Sequence, residues 1–111
     1  MSSFDLLRDT VNSLENKPDL KKEILSFNKT FQFNVSDGNP FYVEINSSGI
    51  KVSEGKKDSP SATITATDQI LNDVFTGQLD GVKAFMQGKL KISGDIFSVQ
   101  KLSSTIMKAR K

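Results

Sequence analysis

The stretch from Phe75 to Asp95, FTGQLDGVKAFMQGKLKISGD, changes its hydrophobic period twice, and each change marks an element. Phe75 closes an apolar helical stripe that includes Ile70, Leu71 and Val74. Thr67 or Asp68 is placed to cap its start and Gly77 to end it. Asp80 is placed to cap a second, shorter helix bearing Val82, Phe85 and Met86, ended by Gly88. Leu90 and Ile92 then alternate with Lys89, Lys91 and Ser93, the period of a strand with one apolar face. Asp95 caps a last helix whose stripe is Ile96, Val99, Leu102 and Ile106.

Upstream, the chain opens with an amphipathic helix over residues 3–16, with Phe4, Leu7, Val11 and Leu14 on one face and Pro18 helping to stop it. A second short helix is expected over residues 19–25, with Leu20, Ile24 and Leu25 inward. The period then drops to two. Phe31, Phe33 and Val35 alternate with Gln32 and Asn34, Asp37-Gly38-Asn39 turns, and Phe41, Val43 and Ile45 return. Ser47-Ser48-Gly49 turns again into a strand with Ile50 and Val52. A polar, mobile loop over residues 54–60 leads to a fourth strand with Ala62, Ile64 and Ala66. The fold class is α+β: one domain over residues 1–111, with a five-stranded, largely antiparallel sheet whose one face carries about five helices and whose other face meets solvent.

Composition bounds the function. The 111 residues, 36% hydrophobic and 25% charged, match an ordinary globular domain. No apolar run approaches the roughly 18 residues of a membrane span, and the N-terminus shows no signal-peptide pattern. The lack of His and Cys argues against a transition-metal site and against His- or Cys-based catalysis. Zero Cys also fits an intracellular protein. The net charge of +2 is uneven: residues 1–82 carry eight Lys/Arg against twelve Asp/Glu, while residues 83–111 carry seven Lys/Arg against Asp95 alone. A basic end of this kind suits anionic membrane or phosphate-bearing ligands, and equally a solvated face.

Phe85-Met86-Gln87-Gly88-Lys89-Leu90-Lys91-Ile92 resembles the signature of the sterol carrier protein 2 family of lipid-transfer domains. The blocks Phe33-Asn34-Val35-Ser36-Asp37-Gly38, Ala62-Thr63-Ile64-Thr65-Ala66-Thr67-Asp68 and Phe75-Thr76-Gly77 extend the resemblance over about residues 27–102. It implies a sheet covered by helices with a hydrophobic tunnel between them, binding fatty acids, fatty acyl-CoA, sterols or phospholipids without catalysis or cofactor. Periodicity alone describes a close-packed core equally well. Carried onto this chain, the resemblance implies walls from Phe33, Val35, Ile70, Val74 and Phe75, and a lid from Ile96, Val99, Leu102 and Ile106. It places Phe85, Met86 and Gln87 on the border, with the Gln87 amide either holding a head group or tying down the Gly88 turn. Lys89 and Lys91 point to water or meet a phosphate at the rim.

Family members often carry Trp in the second strand, where this chain has Phe41 and Tyr42. Their cationic first helix is matched here by one holding Asp5, Asp9 and Glu15 against Arg8. Transient contact with anionic membrane is therefore expected from the basic end, Lys101 to Lys111. A monomer is expected, in the cytoplasm or, as the resemblance allows, in the peroxisome, although the ending Ala109-Arg110-Lys111 does not match the peroxisomal tripeptide of the Ser-Lys-Leu type. The alternative is a module presenting acyl-CoA to a β-oxidation enzyme; with Met1 opening the chain and no enzyme attached, that partner would act in trans. An enzyme built on Asp68, Asp73 and Asp80 competes with simple helix capping. Nucleic-acid binding at the basic end lacks an aromatic platform.

Overall fold

The computed structural model describes residues 2–110. Its elements are α1 (Ser3–Ser13), a 3₁₀ turn (Leu14–Asn16), α2 (Pro18–Leu25), β1 (Lys29–Val35), β2 (Phe41–Asn46), β3 (Gly49–Glu54) and β4 (Ala62–Ala66). They continue through α3 (Asp68–Thr76), α4 (Gly81–Met86), β5 (Lys91–Gly94) and α5 (Ile96–Ala109). The strands form one mixed sheet in the order β3-β2-β1-β4-β5. Neighbours are antiparallel except β1 and β4, which run parallel.

The register explains why the helix-facing side is apolar. Phe33 lies opposite Phe41 on one side and Ile64 on the other, and Ile64 lies opposite Ile92. One row of apolar side chains therefore crosses four strands. The Phe33 and Phe41 rings stack at 4.9 Å, Phe4 of α1 meets Phe41 edge-on, and Phe75 of α3 meets Phe33 edge-on. Phe31, Phe41, Val43, Leu7 and Leu71 are fully buried beside them. Burying each such side chain stabilises the fold by roughly 1.5–3 kcal/mol.

Local chemistry starts the helices. Ser2 caps α1, Thr67 caps α3, Asp80 caps α4 and Asp95 caps α5. Pro18 does not only stop the first helix; it opens α2 at its first position, where a missing N–H costs nothing. The buried Ser3 donates both its amide and its hydroxyl to Asp68 Oδ1, at 3.0 and 2.6 Å, which joins the start of α1 to the start of α3. At the other end, Lys17 donates to the Ala109 carbonyl and Arg110 to the Thr10 hydroxyl, which docks the end of α5 beside α1.

The sheet face away from the helices is not bare. Gln32 is 4% exposed, and its amide nitrogen donates to the carbonyls of Phe41 and Gly55 at 3.1 and 3.2 Å. Its amide oxygen accepts the Lys57 backbone N–H at 2.8 Å, and the Lys57 ammonium pairs with Glu44. The expected mobile loop is thus a tethered crossover. Strand order requires it: the chain leaves β3 on one edge and must pass β2 and β1 to enter β4.

Candidate functional site

A partly open cavity of about 540 Å³ lies between α3, α4 and α5 and the β1-β4-β5 side of the sheet. Its floor and walls are Phe33, Ile64, Leu71, Val74, Phe75, Leu90, Val99, Leu102 and Ile106, all buried. Its mouth is bordered by Val82 and Phe85 of α4 and by Gln100 and Ser104 of α5. On α5, Val99, Leu102 and Ile106 turn inward, while Gln100, Ser103, Ser104 and Met107 follow spacings of three and four along the adjoining stripe. The helix therefore presents an apolar interior face and a polar rim to one space. Among the described residues, Asp80 is the one ionisable side chain lining it, and its carboxylate already accepts the Val82 and Lys83 amides.

Gly77 allows this geometry in two ways. It closes α3 in the left-handed region, at φ +83°, where a side chain is strained. It also leaves room for the Met107 methyl, which would overlap a Cβ at that position.

Of the residues singled out from sequence, Phe33, Val74, Phe75, Phe85, Ile96, Val99, Leu102 and Ile106 line the cavity. Four do not. Val35 is buried but faces a separate polar recess beside Asp37 and the start of α1. Ile70 sits at the edge of the α3 stripe, half-buried against the core. Met86 is 78% exposed, and Gln87 lies exposed in the C-cap of α4. The cause is the shortness of α4: a helix of six residues, held between the Asp80 cap and Gly88 at φ +76°, buries Ala84 alone. Of the expected border residues Phe85, Met86 and Gln87, only Phe85 lies at the cavity, and Met86 and Gln87 face away from it.

The polar rim was missed. Gln100, Ser103 and Ser104 carry no apolar signal, and their place follows only from the α5 stripe once α4 lies beside it. Leu71, Ile64, Leu90 and Ile92 were legible as inward-facing but not as cavity lining, since periodicity does not distinguish a filled core from a hollow one.

The basic end is engaged within the molecule. Lys101 lies over the Phe27 ring at 4.8 Å, Lys108 pairs with Glu23 at 3.8 Å, and Arg110 donates to Thr10. Lys111, the last residue of that expected membrane contact and of the tested tripeptide, lies outside the described residues. Among the described residues, no helix is long and apolar enough to cross a membrane.

Comparison with known proteins places this geometry. The chain is 41% identical over 59 residues to peroxisomal multifunctional enzyme A of Dictyostelium discoideum, an alignment covering 53% of this chain and 13% of that protein. Its fold matches sterol carrier protein 2 from Yarrowia lipolytica (apo form) with a TM-score of 0.75 at 23% identity, covering 97% of this chain and 89% of that one. It also matches the solution structure of palmitated SCP2L2 from Aedes aegypti, with a TM-score of 0.60 at 23% identity over 86% of this chain and 93% of that one. The profile of the SCP-2 sterol transfer family matches residues 9–107, and the chain belongs to that family.

Proposed function

We propose that this protein is a non-catalytic, monomeric carrier that holds the apolar part of one lipid in the cavity beneath α5. The observation that supports this most is the cavity itself. Its volume falls within the roughly 300–1,000 Å³ of ligand sites, and its floor is built from buried aromatic and branched side chains with neutral polar groups gathered at one rim. An acyl chain gains roughly 0.8 kcal/mol for each methylene buried, with no directional demand, so affinity grows with chain length and tolerates varied head groups. Gln100, Ser103 and Ser104 then take the place first assigned to Gln87 as hydrogen-bonding partners of the head. The palmitated state of the Aedes aegypti relative supports an acyl chain as the ligand class.

The test is uptake of a fluorescent fatty acid and its displacement by unlabelled fatty acid. Val99→Trp projects bulk into the cavity from a lining position and is expected to weaken uptake about tenfold or more while the far-UV spectrum stays native. Saturable uptake that is indifferent to Val99→Trp would place the ligand elsewhere.

The similarity to a segment of a peroxisomal multifunctional enzyme supports a second reading, in which the carrier presents acyl-CoA to a β-oxidation enzyme in a peroxisomal compartment. Co-purification of such an enzyme from native lysate separates this from a free-standing carrier.

A further inference from the structure

The large apolar side chains that stand exposed among the described residues are Val82 (47%), Phe85 (37%), Met86 (78%) and Phe97 (83%). Exposed apolar residues scattered singly need no explanation. These are not scattered. Val82 and Phe85 border the cavity mouth from α4, and Met86 follows Phe85 in the chain. Phe97 follows the lining residue Ile96 and stands three and seven residues before Gln100 and Ser104, which border the same mouth from α5.

The charge around them is one-sided. Lys83 and Lys89 are exposed and, among the described residues, form no ion pair. The neighbouring carboxylates are committed elsewhere: Asp80 to the first amides of α4, and Asp95 to Ser98 and Lys29.

From this we infer that the mouth of the cavity docks on an anionic lipid bilayer, with Phe97, Met86 and Phe85 entering the acyl boundary and Lys83 and Lys89 meeting head-group phosphates. Lysine is depleted in protein–protein interfaces, whereas apolar side chains rimmed by long cationic stems suit the membrane interface. Docking here seals the cavity against water at the point where lipid leaves or enters. The inference builds on the lipid-carrying reading, and moves membrane contact from the Lys101–Lys111 end to α4 and the start of α5.

The test is co-sedimentation of the full chain with phosphatidylcholine vesicles, with and without about 30% phosphatidylserine, at low and high salt. Fatty-acid uptake is measured in parallel in vesicle-free solution. Wild type is expected to bind the anionic vesicles and to release them as salt rises. Phe97→Glu, and separately the pair Lys83→Glu and Lys89→Glu, are expected to weaken partitioning by about tenfold or more. Both variants should take up fatty acid as wild type does, because none of these side chains lines the cavity. Absence of preference for anionic vesicles at low salt, or unchanged partitioning of Phe97→Glu, overturns the docking surface. So does a dimer that Phe97→Glu dissociates, since the patch then belongs to a second copy. Vesicle binding as expected, with no uptake in vesicle-free solution, upholds the docking surface and contradicts the lipid-carrying reading instead.

Discussion

The carboxylate of Asp95 accepts hydrogen bonds from the Ser98 hydroxyl at 2.6 Å and the Ser98 amide at 3.1 Å, and faces the Lys29 ammonium at 3.1 Å. It caps α5, the helix that forms one side of the cavity, and ties that helix to the first residue of β1. The Ser98 hydroxyl, then the Ser98 amide and Lys29, hold the carboxyl at about 2, below its ordinary 3.8. Because the native state favours the charged form, its contribution to stability is complete above the ordinary value and is lost as pH falls toward 2. We expect wild type to exceed Asp95→Asn in stability at pH 5 and the gap to close as the pH approaches the native value. Urea midpoints across that range check it; a gap of constant size would remove Asp95 from the acid response. The sequence marks Asp95 as a cap by its place before an apolar stripe, while its pairing with Lys29 depends on the β4–β5 ladder bringing the two ends together.

At the scale of elements, the Gln32 tether and α4 show where periodicity stops being informative. Alternation placed Phe31, Phe33 and Val35 on one face of β1 correctly, and by the same rule placed Gln32 in solvent. Whether the other face is wet depends on where the β3–β4 connection runs, and that follows from the parallel pairing of β1 with β4, a non-local choice that no strand carries in its own pattern. We expect Gln32→Ala to cost about 1–3 kcal/mol, since it leaves the Gly55 and Phe41 carbonyls and the Lys57 amide without their buried partner. It should also raise hydrogen exchange at the Lys57 amide while the β1–β2 ladder stays protected. Exchange at Lys57 equal to wild type would show that the crossover holds without the tether. The short α4 shows a related limit: its apolar spacing is helical, yet less than two turns of chain pinned at both ends bury only Ala84 and leave Val82 and Phe85 at the cavity mouth.

For the whole molecule, the five strands, the five helices and most of their caps were legible, because each rests on a short-range pattern of period or turn chemistry. The cavity was legible only through resemblance to a family. Leu71, Val99, Leu102 and Ile106 would look the same in a filled core, and the space they border is bounded by α3, α4 and α5 on one side and by β1, β4 and β5 on the other. Carbon-13-labelled palmitate bound to the full chain, observed by isotope-filtered nuclear Overhauser contacts, measures the occupancy of that space directly. We expect contacts from the methylene chain to Leu71, Val99, Leu102 and Ile106, and from the carboxylate end to Gln100 and Ser104. Contacts confined to Met86, Phe97 and other exposed side chains, with the buried methyl groups silent, would contradict a lipid-holding cavity.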